Sequence, residues 1–171
     1  MNDTKGIAVV EGTETQDGSF AAPQLQPILA NAGAGHTFTM LGTSMRLIAT
    51  AASTGGRFTV GEQVTPAGWG PPRHIHSRED EILYILEGTY ELHIGDERRT
   101  VSTGACAILP RGIPHGFRNV ASMPGRLLFV ITPGGLEEYF LAVAKCPPPP
   151  NPAQLAELAR PFGLTLLPPG A

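Results

Sequence analysis

Short runs in which apolar and polar residues alternate occupy most of the chain, and that period of two predicts strands. His36 to Leu41 and Ser44 to Ala49 are two such runs on either side of Gly42-Thr43. Gly55-Gly56 turns the chain into a third, Arg57 to Val64. Glu81 to Glu87 reads Glu-Ile-Leu-Tyr-Ile-Leu-Glu. This near-continuous apolar run is too short for a typical helix and predicts a strand buried on both faces. Parity puts Glu81, Leu83 and Ile85 on one face and Ile82, Tyr84 and Leu86 on the other, where Tyr84 reads as packing or interface. Thr89 to Ile94 and Arg98 to Val101 flank Gly95-Asp96, which suits a tight hairpin. Ala105 to Leu109 follows, closed by Pro110. His115 to Asn119 places His115, Phe117 and Asn119 on one face, and Arg126 to Thr132 reads as the last strand. Near the start, Ile7 to Val10 reads as a short first strand, and Leu25 to Asn31 leaves a helical turn and an extended edge both open.

After Gly134-Gly135 the period changes. Leu136, Tyr139, Phe140 and Val143 have helical spacing. Pro147 to Pro150 break that helix with a stiff spacer. Asn151-Pro152 supplies an N-cap and a first-position proline for a second short helix through Gln154 to Ala159, which Pro161 and Gly163 end. Many strands followed by two small helices predict an all-β domain, one antiparallel barrel or sandwich with a helical C-terminal flank. A length of 171 residues suffices for one such domain, and 21 glycines with 17 prolines suit many turns.

Charge and cysteine content narrow the function classes. A net charge of −3 implies no basic face, so nucleic acid is not an expected partner. Cys106 and Cys146 form no disulfide framework and no Cys-x-x-Cys pair, so they read as reduced thiols. The N-terminal apolar run is only four residues long and lacks a cationic start, and no run approaches a membrane span. The expectation is a soluble cytoplasmic protein that does not engage a membrane.

The chemistry concentrates in Gly68 to Glu81. His74 and His76 stand two apart, so on a strand both imidazoles leave the same face and can converge on one metal ion. Glu81 follows five residues later, an odd separation. The chain must therefore bend or bulge near Ser77 to Asp80 before Glu81 can join them, and Glu79 and Asp80 are close competitors for its place. A fourth ligand must come from elsewhere, and His115 is the candidate. His36 and His93 read as packing or surface. Trp69 is a candidate for the mouth of the site or for plain surface. Arg73, Arg78 and Arg111 read as solvated.

These residues fall in two glycine-rich modules. Gly68, His74, His76, Glu81 and Gly88 fit Gly-x5-His-x-His-x4-Glu-x6-Gly, and Gly104, Pro110, Gly112, His115 and Asn119 fit Gly-x5-Pro-x-Gly-x2-His-x3-Asn. Both resemble, position by position, the two motifs of the cupin superfamily. Outside them, Thr54-Gly55-Gly56, Pro71-Pro72 and Leu158 to Gly163 are similar to small single-domain cupins related to quercetin 2,3-dioxygenase. The resemblance implies a cupin-type β-barrel (a jelly roll) over residues 35–134, an N-terminal extension with the first strand over 1–34, and a helical flank over 135–171. It implies that His74, His76, Glu81 and His115 hold one divalent transition metal. Three imidazoles and one carboxylate suit Fe, Mn, Ni, Co, Cu or Zn rather than Ca or Mg, and leave open positions on the ion. It further implies a dioxygenase that uses O2 on an enolisable aromatic or flavonol-type small molecule. Glu81 would serve as both ligand and general base, and Leu83, Ile85 and Phe117 as apolar wall. A non-oxidative metal cupin (isomerase, decarboxylase or polyketide-tailoring enzyme) and a binding protein with a structural metal use the same four residues. Cupins of this size pair through their sheets, so a homodimer is expected.

Overall fold

A computed structural model describes residues 25–147 and 151–168. The expected strand Ile7 to Val10 lies outside them, and residues 25–31 carry no regular element. Eleven strands among the described residues build two antiparallel sheets. The larger is made of β1 (His36–Met40), β2 (Thr43–Ala49), β3 (Thr59–Thr65), β10 (Gly125–Thr132), β5 (Asp80–Glu87) and β8 (Cys106–Leu109), in that spatial order. The smaller is made of β11 (Leu164–Leu166), β4 (His74–His76), β9 (His115–Asn119), β6 (Thr89–Ile94) and β7 (Glu97–Ser102). Among the described residues the two sheets are not joined into one closed barrel, and the architecture is that of a jelly roll.

The alternating pattern sets which side chains face the core. Register across the larger sheet lines up Met45, Gln63, Leu127 and Ile85 in one inner row, and Leu47, Gly61, Phe129 and Leu83 in the next. Thr59, Ile131, Glu81 and Leu109 form the third. Gly61 is required in the middle row. A Cβ there would meet the Phe129 ring at 2.3 Å, so the missing side chain is what lets that ring lie across β3.

Three expectations are corrected. First, β5 is buried on one face only. Glu81, Leu83 and Ile85 are buried, whereas Tyr84 is 41% exposed. The outer side chains Ile82, Tyr84 and Leu86 supply apolar character without a second layer over them. Second, Arg126 to Thr132 is not the last strand. Leu164–Leu166 returns to pair with His74–His76, so the C-terminal segment completes the sheet beside the histidine pair. Third, the turn between β2 and β3 contains a short helix, α1 (Ala51–Thr54), capped by Thr50 and Ser53.

Two further helices, α2 (Glu137–Ala144) and α3 (Pro152–Ala159), cover the inner space. Asn151 caps α3 by accepting from the Ala153 amide at 2.9 Å. Leu136, just before α2, and Tyr139 and Val143 within it belong to the core. The buried Glu137 carboxylate anchors that helix. It accepts from the Ala51 amide at 2.6 Å, the Gly135 amide at 2.8 Å and the Thr59 hydroxyl. Removing it takes the acceptor from one buried and two partly buried donors. Glu137→Ala is therefore expected to cost about 3 to 5 kcal/mol, read as a lower urea midpoint at an unchanged m-value.

Candidate metal centre

The chain brings its four predicted ligands together from opposite walls. β4 and β9 are neighbours in the smaller sheet, and His74 stands directly opposite His115. His76 follows on the same face of β4. Ser77 to Glu79 then carry the chain across the gap, and Glu81 enters from the larger sheet on β5. The bend that the odd spacing demands is thus a change of sheet. The loop before β9 is held to this corner. The Gly112 amide donates to the His76 carbonyl at 2.8 Å, with Gly112 at φ 78°, a conformation that suits glycine. Arg111 grips Asp80 through its backbone amide (2.9 Å) and both arms of its guanidinium (3.0 and 2.7 Å). Those contacts hold the Asp80 carboxyl down at about 2. Asp80 is therefore committed to the rim, and the carboxylate that reaches the histidines is Glu81.

One ligand atom from each of His74, His76, Glu81 and His115 lies within 4.8 Å of every other. His115 Nε2 is 3.3 Å from Glu81 Oε2, and His76 Nε2 is 3.9 Å from it. Bonds of about 2.0 to 2.2 Å to one ion require donor atoms about 3 to 4 Å apart, so these spacings suit a shared ion. The stronger observation is that His76 Nε2, His115 Nε2 and Glu81 Oε2 are buried without any hydrogen-bond partner. Buried polar atoms are rarely left so, and a cation between them satisfies all three at once. The residues present therefore fit a divalent transition ion.

Two of the imidazoles are oriented by the backbone. His74 Nδ1 lies 2.9 Å from the Pro72 carbonyl, and His115 Nδ1 lies 2.8 Å from that of Ile113. A proton on Nδ1 donated to the carbonyl leaves Nε2 with its lone pair free. Burial, partly countered by Glu81 and reinforced by the neighbouring His115 and His76, brings His74 down from 6.5 to about 4. Burial pushes the Glu81 carboxyl up, but His115, His76 and His74 around it outweigh that and hold it below its ordinary value. For His74 the unfolded chain takes up a proton first as pH falls. The stability of the metal-free protein is therefore expected to be full above about 6.5 and to decline as pH drops toward about 4. Chemical denaturation of chelator-treated protein across that window checks it, and a flat profile contradicts it.

Three members of the cluster border an apolar cavity. His74, His76 and Glu81 line it together with Leu83 and Phe117. Ile85 shares the Leu83 face but is packed in the core and does not line the cavity. The rest of the wall comes from places the sequence did not point to. Met40, Met45, Leu127 and Phe129 belong to the larger sheet, and Leu136, Tyr139, Phe140, Leu155, Leu164 and Leu166 to the C-terminal segment. Gln63 is the one uncharged amide in this lining. It is 6% exposed and donates to Thr65 Oγ1 at 3.3 Å. Trp69 lines the cavity, as does Leu41, which sits in the Leu41-Gly42 turn at φ 51°.

Other residues of the two modules prove to be structural. Asn119 donates to the Thr65 and Met123 carbonyls (3.0 and 2.9 Å) and accepts from the Ala121 amide (3.0 Å), clasping the loop after β9. Arg73 and Arg78 bond the carbonyls of Gly95 and Pro161. His93 is paired with Glu91 at 2.7 Å, and His36 is exposed. Glu79, which the sequence offers as a competitor for the place of Glu81, is not in the four-residue cluster. It is buried, with Oε2 3.5 Å from His76 Nδ1. Its burial beside His76 has no signal in the sequence, where it reads only as a competitor of Glu81.

Among known proteins, residues 61–131 match the family described as Cupin domain. The chain is similar to quercetin 2,3-dioxygenase of Bacillus subtilis, 29% identical over 92 residues, which is 54% of this chain and 27% of that protein. It is also similar to the tetracenomycin polyketide synthase protein TcmJ of Streptomyces glaucescens, 27% identical over 113 residues, 66% of this chain and 75% of that one. A Streptomyces halstedii protein, SchB, is 30% identical over 84 residues, 49% of this chain and 59% of its own length. The chain thus spans little more than half of some of its curated relatives and about a quarter of the dioxygenase. An RmlC-like cupin from Shewanella frigidimarina shares the fold, with a TM-score of 0.56 at 14% identity over 67% of this chain and 99% of that one. Two facing antiparallel sheets, the two motifs at one corner of them and the family match agree: residues 61–131 are a cupin domain.

Proposed function

We propose that the protein is a metal-dependent cupin dioxygenase acting on an enolisable aromatic, flavonol-type molecule, with His74, His76, Glu81 and His115 holding the ion. The observation that carries this reading is the clustering of three imidazoles and a carboxylate, with unpartnered buried atoms, beside a cavity walled by aromatic and aliphatic side chains. When bound, the ion supplies Lewis acidity toward an enol oxygen and an electron route to O2. The chain supplies the rest. Leu83, Phe117, Phe129 and Tyr139 present apolar surface that takes a flat ring and excludes water. Glu81, held ionised by the imidazoles around it, accepts the substrate's hydroxyl proton. Partial burial pushes the Tyr139 phenol up to about 12, so it stays neutral at the wall.

A second reading, a non-oxidative polyketide-tailoring enzyme, is favoured by the match to TcmJ, which covers 75% of that protein against 27% of the dioxygenase. Oxygen-electrode assays with flavonols separate the two. Substrate-dependent O2 uptake is expected, whereas turnover under anaerobic conditions favours the tailoring enzyme. The reading includes a homodimer formed through the outer face of the larger sheet, supported by Val64, Tyr84 and Ile108, 40%, 41% and 67% exposed. It also places the protein in the cytoplasm, in keeping with the free thiols of Cys106 and Cys146. Among the described residues no helix is long and apolar enough to cross a membrane.

A further inference from the structure

The three histidines are not equivalent. His74 and His115 each have Nδ1 against a backbone carbonyl two residues earlier, at 2.9 and 2.8 Å. His76 has no such bond. Its Nδ1 is buried without a hydrogen-bond partner, and so is Glu79 Oε2, 3.5 Å away. The two side chains are 2% and 7% exposed, so water does not readily stand in for either partner. A buried donor and a buried acceptor, each lacking any other partner and facing one another, form a hydrogen bond that needs only a few tenths of an ångström to close.

We infer that Glu79 is the positioning residue for His76. Its carboxylate takes the Nδ1 proton in a hydrogen bond, fixes the tautomer with Nε2 bare, and aims that lone pair at the other ligand atoms. This rests on the metal-site reading above. Glu79 does not line the cavity and touches neither substrate nor the reacting atoms. It acts only through His76. The arrangement gives the site one imidazole backed by a negative charge and two backed by neutral carbonyls. A carboxylate-backed imidazole is the stronger electron donor, so His76 is the ligand that most strengthens the hold on the ion. Local chain geometry explains why a carboxylate is needed. Position i−2 to His76 is His74, which lies inside β4 and pairs with His115 of β9, whereas Pro72 and Ile113 precede the strands of the histidines they hold.

The test uses the full chain and two variants, Glu79→Gln and Glu79→Leu, with circular dichroism as the check on folding. Gln is isosteric and keeps an oxygen that can accept from Nδ1 without the charge, and Leu removes the acceptor. Two readouts apply. The first is the His76 ring-nitrogen NMR spectrum of the metal-free protein. Wild type and Glu79→Gln are expected to show the Nδ1–H tautomer, and Glu79→Leu a mixture of tautomers. The second is Co2+ affinity by chelator competition, expected to fall in the order wild type, Gln, Leu, with Leu about 10- to 100-fold weaker. Wild-type protein that binds Co2+, alongside variants that bind it within about threefold and keep the His76 tautomer unchanged, overturns the role given to Glu79. Wild-type protein that binds no Co2+ overturns the metal-site reading instead, and the tautomer measurement then still decides the Glu79–His76 contact.

Discussion

Glu81→Ala is expected to abolish turnover, by about 10^3-fold or more, while much of the ion stays bound. The expectation follows from the two tasks assigned to one side chain. As a ligand, Glu81 is one of four, and three imidazoles, each with a ring nitrogen in the cluster, remain after it is removed. As a base it has no substitute. Asp80 is tied to Arg111 at the rim, and Glu79 faces the far side of His76. Loss of a positioned general base costs about 10^2- to 10^4-fold, and loss of the anionic ligand adds to it. Metal content per chain and kcat measured on the same preparation check both halves. Ring cleavage retained in the variant refutes the base role, and complete loss of the ion refutes the division of tasks.

His115→Ala is expected to abolish tight ion binding and, with it, the stabilisation that the ion gives. His115 is fully buried and stands between the sheets, 3.3 Å from Glu81 and opposite His74. Its side chain is fully buried, whereas that of Glu81 is 10% exposed. In wild-type protein an ion present at a thousand times its dissociation constant stabilises the fold by about 4 kcal/mol. Thermal melts with and without added Zn2+ or Co2+ should therefore show a clear upward shift for wild type and none for His115→Ala. Equal shifts for the two proteins would mean that the ion sits elsewhere.

How much of this was legible in the sequence depends on how local each feature is. His74 and His76 share a face because a strand has period two, and Glu81 is forced to change direction by its odd spacing. Those three needed no distant information. His115 was identified because its module is a compact string of turn residues and ligand. For Ile85, parity gives the face of a strand but not which members of a row border a cavity. Ile85 is two positions beyond Leu83 on that face, and in its row the cavity is bordered by Met45, Gln63 and Leu127 instead. The one-sided burial of β5 is not legible because Ile82 and Tyr84 are apolar yet face outward. The C-terminal wall was invisible for a different reason. Leu164–Leu166 pairs with His74–His76 across roughly ninety residues of chain, and a three-residue strand after a proline-rich spacer has no period to detect. Glu79 was not separable from Asp80 by residue type. What separates them is Arg111, which takes Asp80 and leaves Glu79 to turn inward.

The account stands on one physical claim, that His74, His76, Glu81 and His115 together hold a single transition ion. Elemental analysis of the protein purified without added metal, repeated after chelation and after reconstitution, tests it most directly. The expected result is close to one equivalent of Fe, Mn, Ni, Co, Cu or Zn per chain, lost on chelation and regained on reconstitution. A folded wild-type chain that takes up no ion on reconstitution contradicts it.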